Sequence, residues 1–271
     1  SFVKPVWAAV FIVCFDLYWL LKAMNTSVHL ISSYRKFRVY VKIDWLLLVA
    51  MLHDRARLIN HMETSRDHAT KSLEKKFYTQ EIDRLNTQPD NGVINRPFQE
   101  FYHLIIIPFV DESEEVLTST IDALVTTQYP HEQMMLILAS EERAGALAQE
   151  IAKKLLEKYE QKFFKMFVTI HPDGLEGEIK GKSANASYAV SSILPKLEEL
   201  NIAEDTVLIS NLDSDTIVHP QYFTRVMYAF LTNEDPYHRS YQPIAIYNNN
   251  IYYFYTYCLW FMDNKQKCNC C

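Results

Sequence analysis

The polar and apolar positions of this chain follow two different patterns, one before and one after residue 97. Residues 6–21 are apolar except for Asp16, a run slightly shorter than the ~20 residues of a membrane-spanning helix. Basic residues cluster after this run and only Lys4 precedes it, so the positive-inside rule places its C-terminal side in the cytoplasm. We therefore predict a membrane segment over residues 1–26, with a signal peptide or a buried soluble helix as the alternatives.

Two further segments complete the first pattern. Residues 27–54 mix basic, apolar and aromatic side chains, which favours a helix lying in the membrane interface or a second short hydrophobic segment. Residues 55–97 are predicted to form a charged helical linker, because charges of both signs alternate there and no Gly or Pro occurs before Pro89. The turn-forming run from Pro89 to Gly92 ends the helix. The predicted apolar stripe of the linker is Leu58, Met62, Leu73, Phe77, Ile82 and Leu85.

The second pattern is an alternation of short apolar runs with helical stripes. It predicts an α/β domain over residues 98–271, built on a mostly parallel sheet with helices on both faces. Such sheets bind ligands beyond the C-terminal ends of their strands, so the polar residues that follow each strand are the candidates for chemistry. The predicted strands, interpreted as buried, are residues 104–108, 134–138, 167–170 and 207–209.

The helices between these strands are predicted from their end signals and their apolar stripes. The first begins at a capping pair, Asp111 with Glu114. Another covers residues 183–194 and stops near Pro195, and a further helix opens at Pro220. The apolar stripes are Leu117, Ile121, Leu124 and Val125 in the first helix, Leu147, Ile151, Leu155 and Tyr159 in the second, and Phe223, Met227 and Phe230 after Pro220.

The composition narrows the classes of function. Apolar residues make up 49% and charged residues 22% of the 271 residues, which argues against wholesale disorder. A net charge of −6 and a pI near 5.9 argue against a nucleic-acid partner, since such proteins carry a basic patch or stripe. The five glycines do not form G-x-G-x-x-G, so the dinucleotide-binding fingerprint is absent. The five cysteines, three of them within residues 268–271, do not make a disulfide framework.

Two aspartates after the fourth predicted strand are the main candidates for chemistry. Asp213 and Asp215 are two residues apart, and residues at this spacing project to the same face of extended chain. Two such carboxylates can hold one Mg²⁺ or Mn²⁺, which would neutralise the charge of a departing diphosphate. Lys182 follows Gly181 at the start of a predicted helix, where a bound anion would balance its charge against the helix dipole.

The order of four short motifs resembles glycosyltransferase family 2, the inverting GT-A enzymes that use nucleotide-activated sugars. The resemblance covers about residues 101–223. The motifs are Ile107-Pro108-Phe109-Val110-Asp111-Glu112, Thr127-Gln128-Tyr129-Pro130, Gly181-Lys182-Ser183-Ala184-Asn185-Ala186-Ser187, and the stretch from Asp213 to Tyr222-Phe223 that carries D-x-D and Pro220. The first differs from the family in having Asp111 where Asn is usual, and Glu141 stands where an Asp is usual after the second strand.

The resemblance implies a GT-A-like fold and a membrane-bound enzyme similar to the polysaccharide synthases, with its catalytic domain facing the cytoplasm. Its partners would be a nucleotide-sugar donor, with UDP as the expected nucleotide, a saccharide or lipid-linked acceptor, and the lipid bilayer. Its cofactor would be Mg²⁺ or Mn²⁺ at Asp213 and Asp215. By the same resemblance, the nucleotide-sugar site would be lined by Pro108, Asp111, Glu112, Glu141, Lys182, Asn185 and Asp213.

The chain departs from the family in its catalytic base. The family places this acid in a later motif, which processive members follow with Q-x-x-R-W, and neither occurs at the expected distance here. Glu234-Asp235 lies only 19 residues after Asp215, in a turn-like stretch that we interpret as a loop. We therefore expect this chain to be the donor-binding half of a longer, C-terminally incomplete enzyme.

Three alternatives stay open. Residues 177–183 are one residue short of the P-loop pattern of nucleoside triphosphatases. Asp213-Ser214-Asp215-Thr216 resembles the nucleophile motif of haloacid-dehalogenase-like phosphatases, although that motif normally begins its domain. The third alternative is a nucleotide-sugar binding module without catalytic activity, which the missing base would favour.

Overall fold

The computed structural model describes residues 5–175, 177–178 and 181–242. The chain divides into two compact units. The first consists of Ser1–Asn95 with Thr232–Glu234, and the second of Arg96–Leu231 with Asp235–Cys271. The predicted aromatic run and the cysteine-rich tail near the C-terminus lie outside the described residues.

The first unit begins with one long helix, α1, which covers Pro5–Tyr40. At a rise of ~1.5 Å per residue it is roughly 54 Å long, more than the ~30 Å hydrocarbon thickness of a bilayer. Its apolar side chains are exposed, with Trp7 at 68% and Phe11 at 69%. Within the described residues, α1 is the helix long and apolar enough to cross a membrane. It continues without a break past residue 26, where the membrane segment was predicted to end.

Three shorter helices follow α1 in this unit: α2 is Trp45–Met51, α3 is Arg55–His68 and α4 is Ser72–Thr87. Asp44 and Asp54 begin α2 and α3, because each carboxylate accepts a hydrogen bond of 3.0 Å from the backbone N–H three residues later. The predicted continuous linker helix is wrong at residues 69–71, where Ala69 and Lys71 have extended backbone conformations.

The apolar stripe of α3 and α4 forms the core of this unit. Leu58, Met62 and Leu85 are fully buried, as predicted, whereas Leu73 is exposed. Where α1 ends, the ring of Phe77 meets those of Tyr40 and Trp45 at centroid distances of 5.4 and 5.8 Å. The Trp45 indole also donates a 2.9 Å hydrogen bond to the Tyr40 carbonyl. These contacts fasten the C-terminal end of α1 to α4.

The second unit contains the predicted parallel sheet. Its strands are β1 at Tyr102–Phe109, β2 at Met134–Glu141, β3 at Lys165–His171 and β4 at Val207–Asn211. They are all parallel and lie in the order β3-β2-β1-β4. The α/β prediction and all four strands are confirmed, and the architecture is consistent with a GT-A-like fold. Each strand extends beyond its predicted apolar run, because ladder hydrogen bonds also include flanking polar residues.

Helices cover both faces of this sheet. They are α5 at Glu114–Val125, α6 at Gly145–Tyr159, α7 at Lys182–Glu199 and α8 at Tyr222–Leu231. Alternate residues of β1 and β2, such as Leu104 and Ile137, pack against Ala189 and Ile193 of α7. On the other face His103 lies against Phe223 of α8, with ring centroids 5.0 Å apart.

Some details of these elements differ from the predictions. The hydroxyl of Ser113, rather than the Asp111 and Glu114 pair, caps α5 by accepting a hydrogen bond from the Val116 N–H. Pro195 lies inside α7, which continues to Glu199 because Leu197 beyond it is buried in the core. A proline removes one helical hydrogen bond, so burial of the following turn can compensate for its loss.

Two further predictions of burial are wrong. Leu147 is 70% exposed, and the buried face of α6 is formed instead by Ala148, Ala152 and the later part of the predicted stripe. Ile209 in β4 is 54% exposed, because β4 is an edge strand among the described strands and is covered on fewer sides than β1 and β2.

Candidate functional site

The loop after β4 carries the two predicted metal-binding aspartates. The parallel ladder continues one residue past β4, where the Leu212 N–H donates a 2.9 Å hydrogen bond to the Ile106 carbonyl. A turn then forms, with a 3.0 Å bond from the Thr216 N–H to the Asp213 carbonyl. Asp213 and Asp215 are exposed, whereas Ser214 between them is buried. The two carboxylates therefore lie at the carboxyl edge of the sheet, where α/β proteins bind ligands.

Ser214 joins this loop to the loop after β1. Its hydroxyl donates a 2.6 Å hydrogen bond to the Glu112 carboxylate. Its carbonyl accepts a 2.6 Å bond from the fully buried Thr120 hydroxyl of α5. The other Glu112 oxygen accepts a 2.7 Å bond from the Val110 N–H. Ser214 and Glu112 are thus each held by a second hydrogen bond in addition to the one between them.

These contacts hold Glu112 as a carboxylate. Burial alone would raise its pKa, but the hydrogen bonds from Ser214 and from the backbone N–H groups of Val110, Glu112 and Asp111 outweigh burial. The net effect lowers the pKa of Glu112 below its ordinary value, since each bond stabilises the charged form. Glu112 therefore contributes a negative charge at the sheet edge. Asp111 beside it is exposed.

Lys182 and Asp213 form an ion pair across this edge. They are 31 residues apart in sequence, and the Lys182 ammonium donates to the Asp213 carboxylate. Lys182 is the first residue of α7, and both side chains are well exposed, at 47% and 69%. An exposed pair contributes only about 0–1 kcal/mol to stability, so a ligand can replace either partner at little cost. The structure thus brings together two of the residues predicted to bind a nucleotide-sugar.

The ends of β2 and β3 form a second part of the edge. Glu141 is buried at the end of β2, pairs in register with His171 at the end of β3, and accepts a hydrogen bond from Arg143. The His171 ring contacts the Glu178 carboxylate at 2.8 Å and the Tyr188 ring at 5.0 Å between centroids. A cavity of about 30 Å³, lined by Glu141, Arg143, His171 and Glu178 among others, lies here.

His171 was not among the predicted site residues. The signal that could have found it is its place at the end of a strand, which is the same signal that selected Glu141. The prediction placed the end of β3 at residue 170, because Ile170 is the last residue of the apolar run. The strand extends one residue further, and this register brings His171 beside Glu141.

Pro108 and Asn185 lie deeper than the exposed residues. Pro108 is buried in β1, in register with Ala139 of β2. Asn185 in the first turns of α7 is 1% exposed, and its amide donates a 2.8 Å hydrogen bond to the Ala139 carbonyl. Among the residues described, no hydrogen-bond partner is found for the side-chain amide oxygen of Asn185, Oδ1. Asn185 therefore fastens α7 to β2 below the edge.

The carboxylates at the edge suit a divalent cation that also binds a substrate. In the described part of the chain, no group of three or more His, Cys, Asp or Glu side chains is arranged to enclose a metal ion. Asp213 and Asp215 can contribute two carboxylates, and Mg²⁺ commonly binds through one or two carboxylates together with substrate phosphates. The donor set therefore fits Mg²⁺ or Mn²⁺ held jointly with a diphosphate.

The described residues also bear on the alternatives and on the base. β3 ends at His171, so Gly177 does not follow a strand directly as a P-loop requires. The Asp213 turn comes after three strand–helix units rather than at the start of the domain. Glu234 and Asp235 lie outside regular helices and strands, as predicted, and Asp235 contacts His238 at 2.7 Å.

The chain is similar to solved structures of known proteins. No family profile and no curated protein matches the chain. The crystal structure of S. aureus TarS, residues 1–349, matches it with 19% identity and a TM-score of 0.34. TarS is a glycosyltransferase. The match covers 48% of this chain and 32% of TarS, so the chain spans about a third of the structure it matches.

Proposed function

We propose that this chain is the donor-binding part of a membrane-anchored, inverting glycosyltransferase that takes a nucleotide-sugar, with UDP as the nucleotide. The observation that supports it best is the Lys182–Asp213 ion pair at the carboxyl edge of the parallel sheet, two residues from Asp215. This pair and Asp215 would together supply the cation and the two carboxylates for a diphosphate and its metal ion.

The proposed reaction breaks the bond between the anomeric carbon and the diphosphate oxygen. An acceptor hydroxyl attacks the anomeric carbon from the opposite side, its proton passes to a base, and the nucleoside diphosphate leaves with the bonding electrons. Lys182 would turn from Asp213 to the diphosphate and stabilise its charge. A divalent cation held by Asp213 and Asp215 would add charge neutralisation at the same oxygens. No described residue is assigned as the base.

The proposal also covers the residues that bind the nucleoside, the side of the membrane on which the α/β unit lies, and the acceptor. The nucleoside side of the site would be lined by Asp111, Glu112 and the paired strand ends at Glu141 and His171. Beneath these residues, Pro108 and Asn185 would support the site. α1 would cross the membrane and leave the α/β unit on the cytoplasmic side, because its cations follow the apolar part. The acceptor would be a saccharide or a lipid-linked saccharide.

Calorimetry with UDP and with ATP, each with Mn²⁺ and with EDTA, tests this proposal. We expect Mn²⁺-dependent UDP binding that Asp215→Asn weakens by about tenfold or more, because the variant removes a metal-ligating charge. Asp83→Asn on the exposed surface of α4 is the matched control and should leave binding unchanged. UDP binding that is insensitive to EDTA and to Asp215→Asn would refute the metal site, and a preference for ATP would favour the P-loop alternative.

A binding module without transferase activity is the second candidate. The observation in its favour is that the acid motif in which the family carries its base does not occur at the expected distance after Asp215. General base catalysis contributes ~10²–10⁴ in rate, so a chain without it would bind donor but transfer sugar slowly. Measuring UDP-sugar binding and sugar release on the same preparation separates the two candidates.

A further inference from the structure

A groove between α1 and α4 in the first unit combines apolar walls with uncompensated positive charge. It has a volume of about 340 Å³, within the size range of small-molecule sites. Its lining combines apolar side chains of both helices, such as Val28 and Ile31 of α1 and Leu73 of α4, with the cations Arg35, Lys36 and Lys76. Among the residues that the structure describes, none of these three cations forms an ion pair with a carboxylate. The groove therefore offers an apolar surface followed by a cluster of donors for an anion.

The charge around this groove is concentrated. Residues 34–42, where α1 ends, contain four cations and no carboxylate. The pKa of Lys71 is lowered by the close approach and the charge of the Lys42 side chain, and then by the charge of the Arg38 guanidinium. Like charges held this near each other are unfavourable without a counter-anion. Glu74 is the carboxylate that offsets this effect at Lys71.

On α1 the groove begins at Val28, just after the predicted membrane segment of residues 1–26. Arg35 and Lys36 lie four and five residues beyond Ile31 on α1, which is roughly 6–8 Å along the helix axis. An acyl chain against Val28 and Ile31 would therefore place its phosphate near the cations. Cations next to a membrane helix attract anionic lipids of the cytoplasmic leaflet.

From this geometry we infer that the groove between α1 and α4 is a binding site for one anionic glycerophospholipid, held by its phosphate at Arg35, Lys36 and Lys76. The inference rests on the membrane anchoring proposed above. The phosphate accepts hydrogen bonds from the three cations, and the first part of an acyl chain packs against the exposed apolar side chains of α1. The site fixes where α1 and α4 meet the membrane surface.

Calorimetry on the full chain in neutral detergent tests the inference with three probes: a short-chain phosphatidylglycerol, a phosphatidylcholine of the same chain length, and inorganic phosphate. We expect phosphatidylglycerol to bind at least about tenfold more tightly than either other probe. Lys36→Gln with Lys76→Gln should weaken this binding roughly 25-fold, since each cation near the surface contributes about a fivefold factor. Lys36→Arg with Lys76→Arg should retain it.

The matched control removes the same charge elsewhere. Lys75→Gln with Lys153→Gln alters two exposed lysines that do not line the groove, and we expect it to change the affinity less than about twofold. Equal binding of phosphatidylglycerol and phosphatidylcholine, equal binding of inorganic phosphate, or equal losses in the two glutamine variants would each overturn the inference.

Failure of this inference can be told apart from failure of the proposed function. UDP binding to the α/β unit is measured on the same variants and does not depend on the groove. Membrane anchoring is measured by flotation with vesicles of phosphatidylcholine alone, which lack the anionic probe. A chain that floats with these vesicles and binds UDP, but does not prefer phosphatidylglycerol, refutes only the lipid site.

Discussion

The hydroxyl of Ser214 donates a 2.6 Å hydrogen bond to the carboxylate of Glu112, and this bond joins the loops that follow the adjacent parallel strands β4 and β1. The two residues are 102 positions apart in the chain. Ser214 stands between the two aspartates of the candidate metal site, so the bond fixes the turn that presents both carboxylates. If the proposed function is right, the affinity of the site for a metal and a diphosphate depends on a neutral serine as well as on the charged residues.

Removing this hydroxyl should weaken both the fold and the site. We expect Ser214→Ala to lower the free energy of unfolding by about 1.5–3 kcal/mol, because it leaves one oxygen of a partly buried carboxylate without its donor. Urea denaturation of the full chain in neutral detergent measures the change. Ser119→Ala is the matched control, since the Ser119 hydroxyl bonds only to a carbonyl on an exposed helix face, and it should have little effect.

A double-mutant cycle with Glu112→Gln tests whether the two residues act on each other. If the bond between Ser214 and Glu112 causes the destabilisation, Ser214→Ala should lower the free energy of unfolding by about 1 kcal/mol less in the Glu112→Gln background than in the unaltered chain. Equal losses in both backgrounds would mean that the Ser214 side chain acts through packing alone, since the bond with Thr120 uses the backbone carbonyl of Ser214 and is kept in the variant.

The sequence contained enough information for the order of the strands and helices, because each strand centre is a continuous apolar run. Leu104 to Ile107 and Met134 to Leu138 are buried on both faces, so they have no polar alternation that could be mistaken for a loop. Partners in the site are harder to predict. The Lys182–Asp213 pair depends on how far α7 is set back along the sheet, and no local pattern in the sequence encodes that distance.

The wrong predictions share a physical cause. Leu147 fits the helical period of α6, but the helix turns the neighbouring Ala148 towards the core and leaves Leu147 exposed. Ile209 fits a buried strand, but β4 lies at an edge of the sheet among the described strands. In both cases the residue satisfies the local pattern, and its burial is decided by which element packs beside it.

Lys182 should matter for ligand binding and little for stability. We expect Lys182→Gln to weaken Mn²⁺-dependent UDP binding by about tenfold, because it removes a charge-assisted hydrogen bond to the diphosphate. Its melting temperature should stay within about 2 °C of the unaltered chain, since the pair with Asp213 is exposed. Calorimetry and thermal denaturation of the same sample measure both quantities.

The control for this variant is Lys153→Gln, an exposed lysine of α6 away from the site. If both variants weaken UDP binding equally, the effect comes from the overall charge of the chain and Lys182 has no specific place in the site. If Lys182→Gln melts much lower, the ion pair is structural.

The membrane role proposed for α1 predicts how the chain responds to charge in its apolar part. We expect Val13→Arg with Leu17→Arg to release the chain from membranes on alkaline extraction, because each arginine at the centre of a spanning helix costs about 2.5–3.5 kcal/mol. Both side chains are exposed within the helical unit, so the substitutions do not disturb its core. Arg55→Gln with Arg57→Gln in α3 changes two charges outside the span and should leave the chain membrane-bound.

The buried His103 predicts an acid-sensitive fold. Its ring lies between Tyr129 and Phe223, at centroid distances of 4.6 and 5.0 Å. Burial lowers its pKa to about 3, against a smaller opposing effect of the Phe223 backbone. The unfolded chain takes up a proton near the ordinary pKa of 6.5, whereas the folded chain does so only near 3. The stability contributed by neutral His103 is therefore fully present above about pH 6.5 and is lost as the pH falls towards 3.

At about pH 5 this difference should reduce the free energy of unfolding by about 2 kcal/mol relative to about pH 7. Carboxylates also titrate as the solution becomes acidic, so the informative quantity is the difference between the unaltered chain and His103→Leu, each denatured with urea at both pH values. We expect His103→Leu to lose about 2 kcal/mol less on acidification, because it has no imidazole to protonate. His53→Gln alters an exposed histidine, and its free energy of unfolding should fall on acidification as much as that of the unaltered chain. An identical acid response in His103→Leu and the unaltered chain would show that protonation of His103 is not what destabilises the fold.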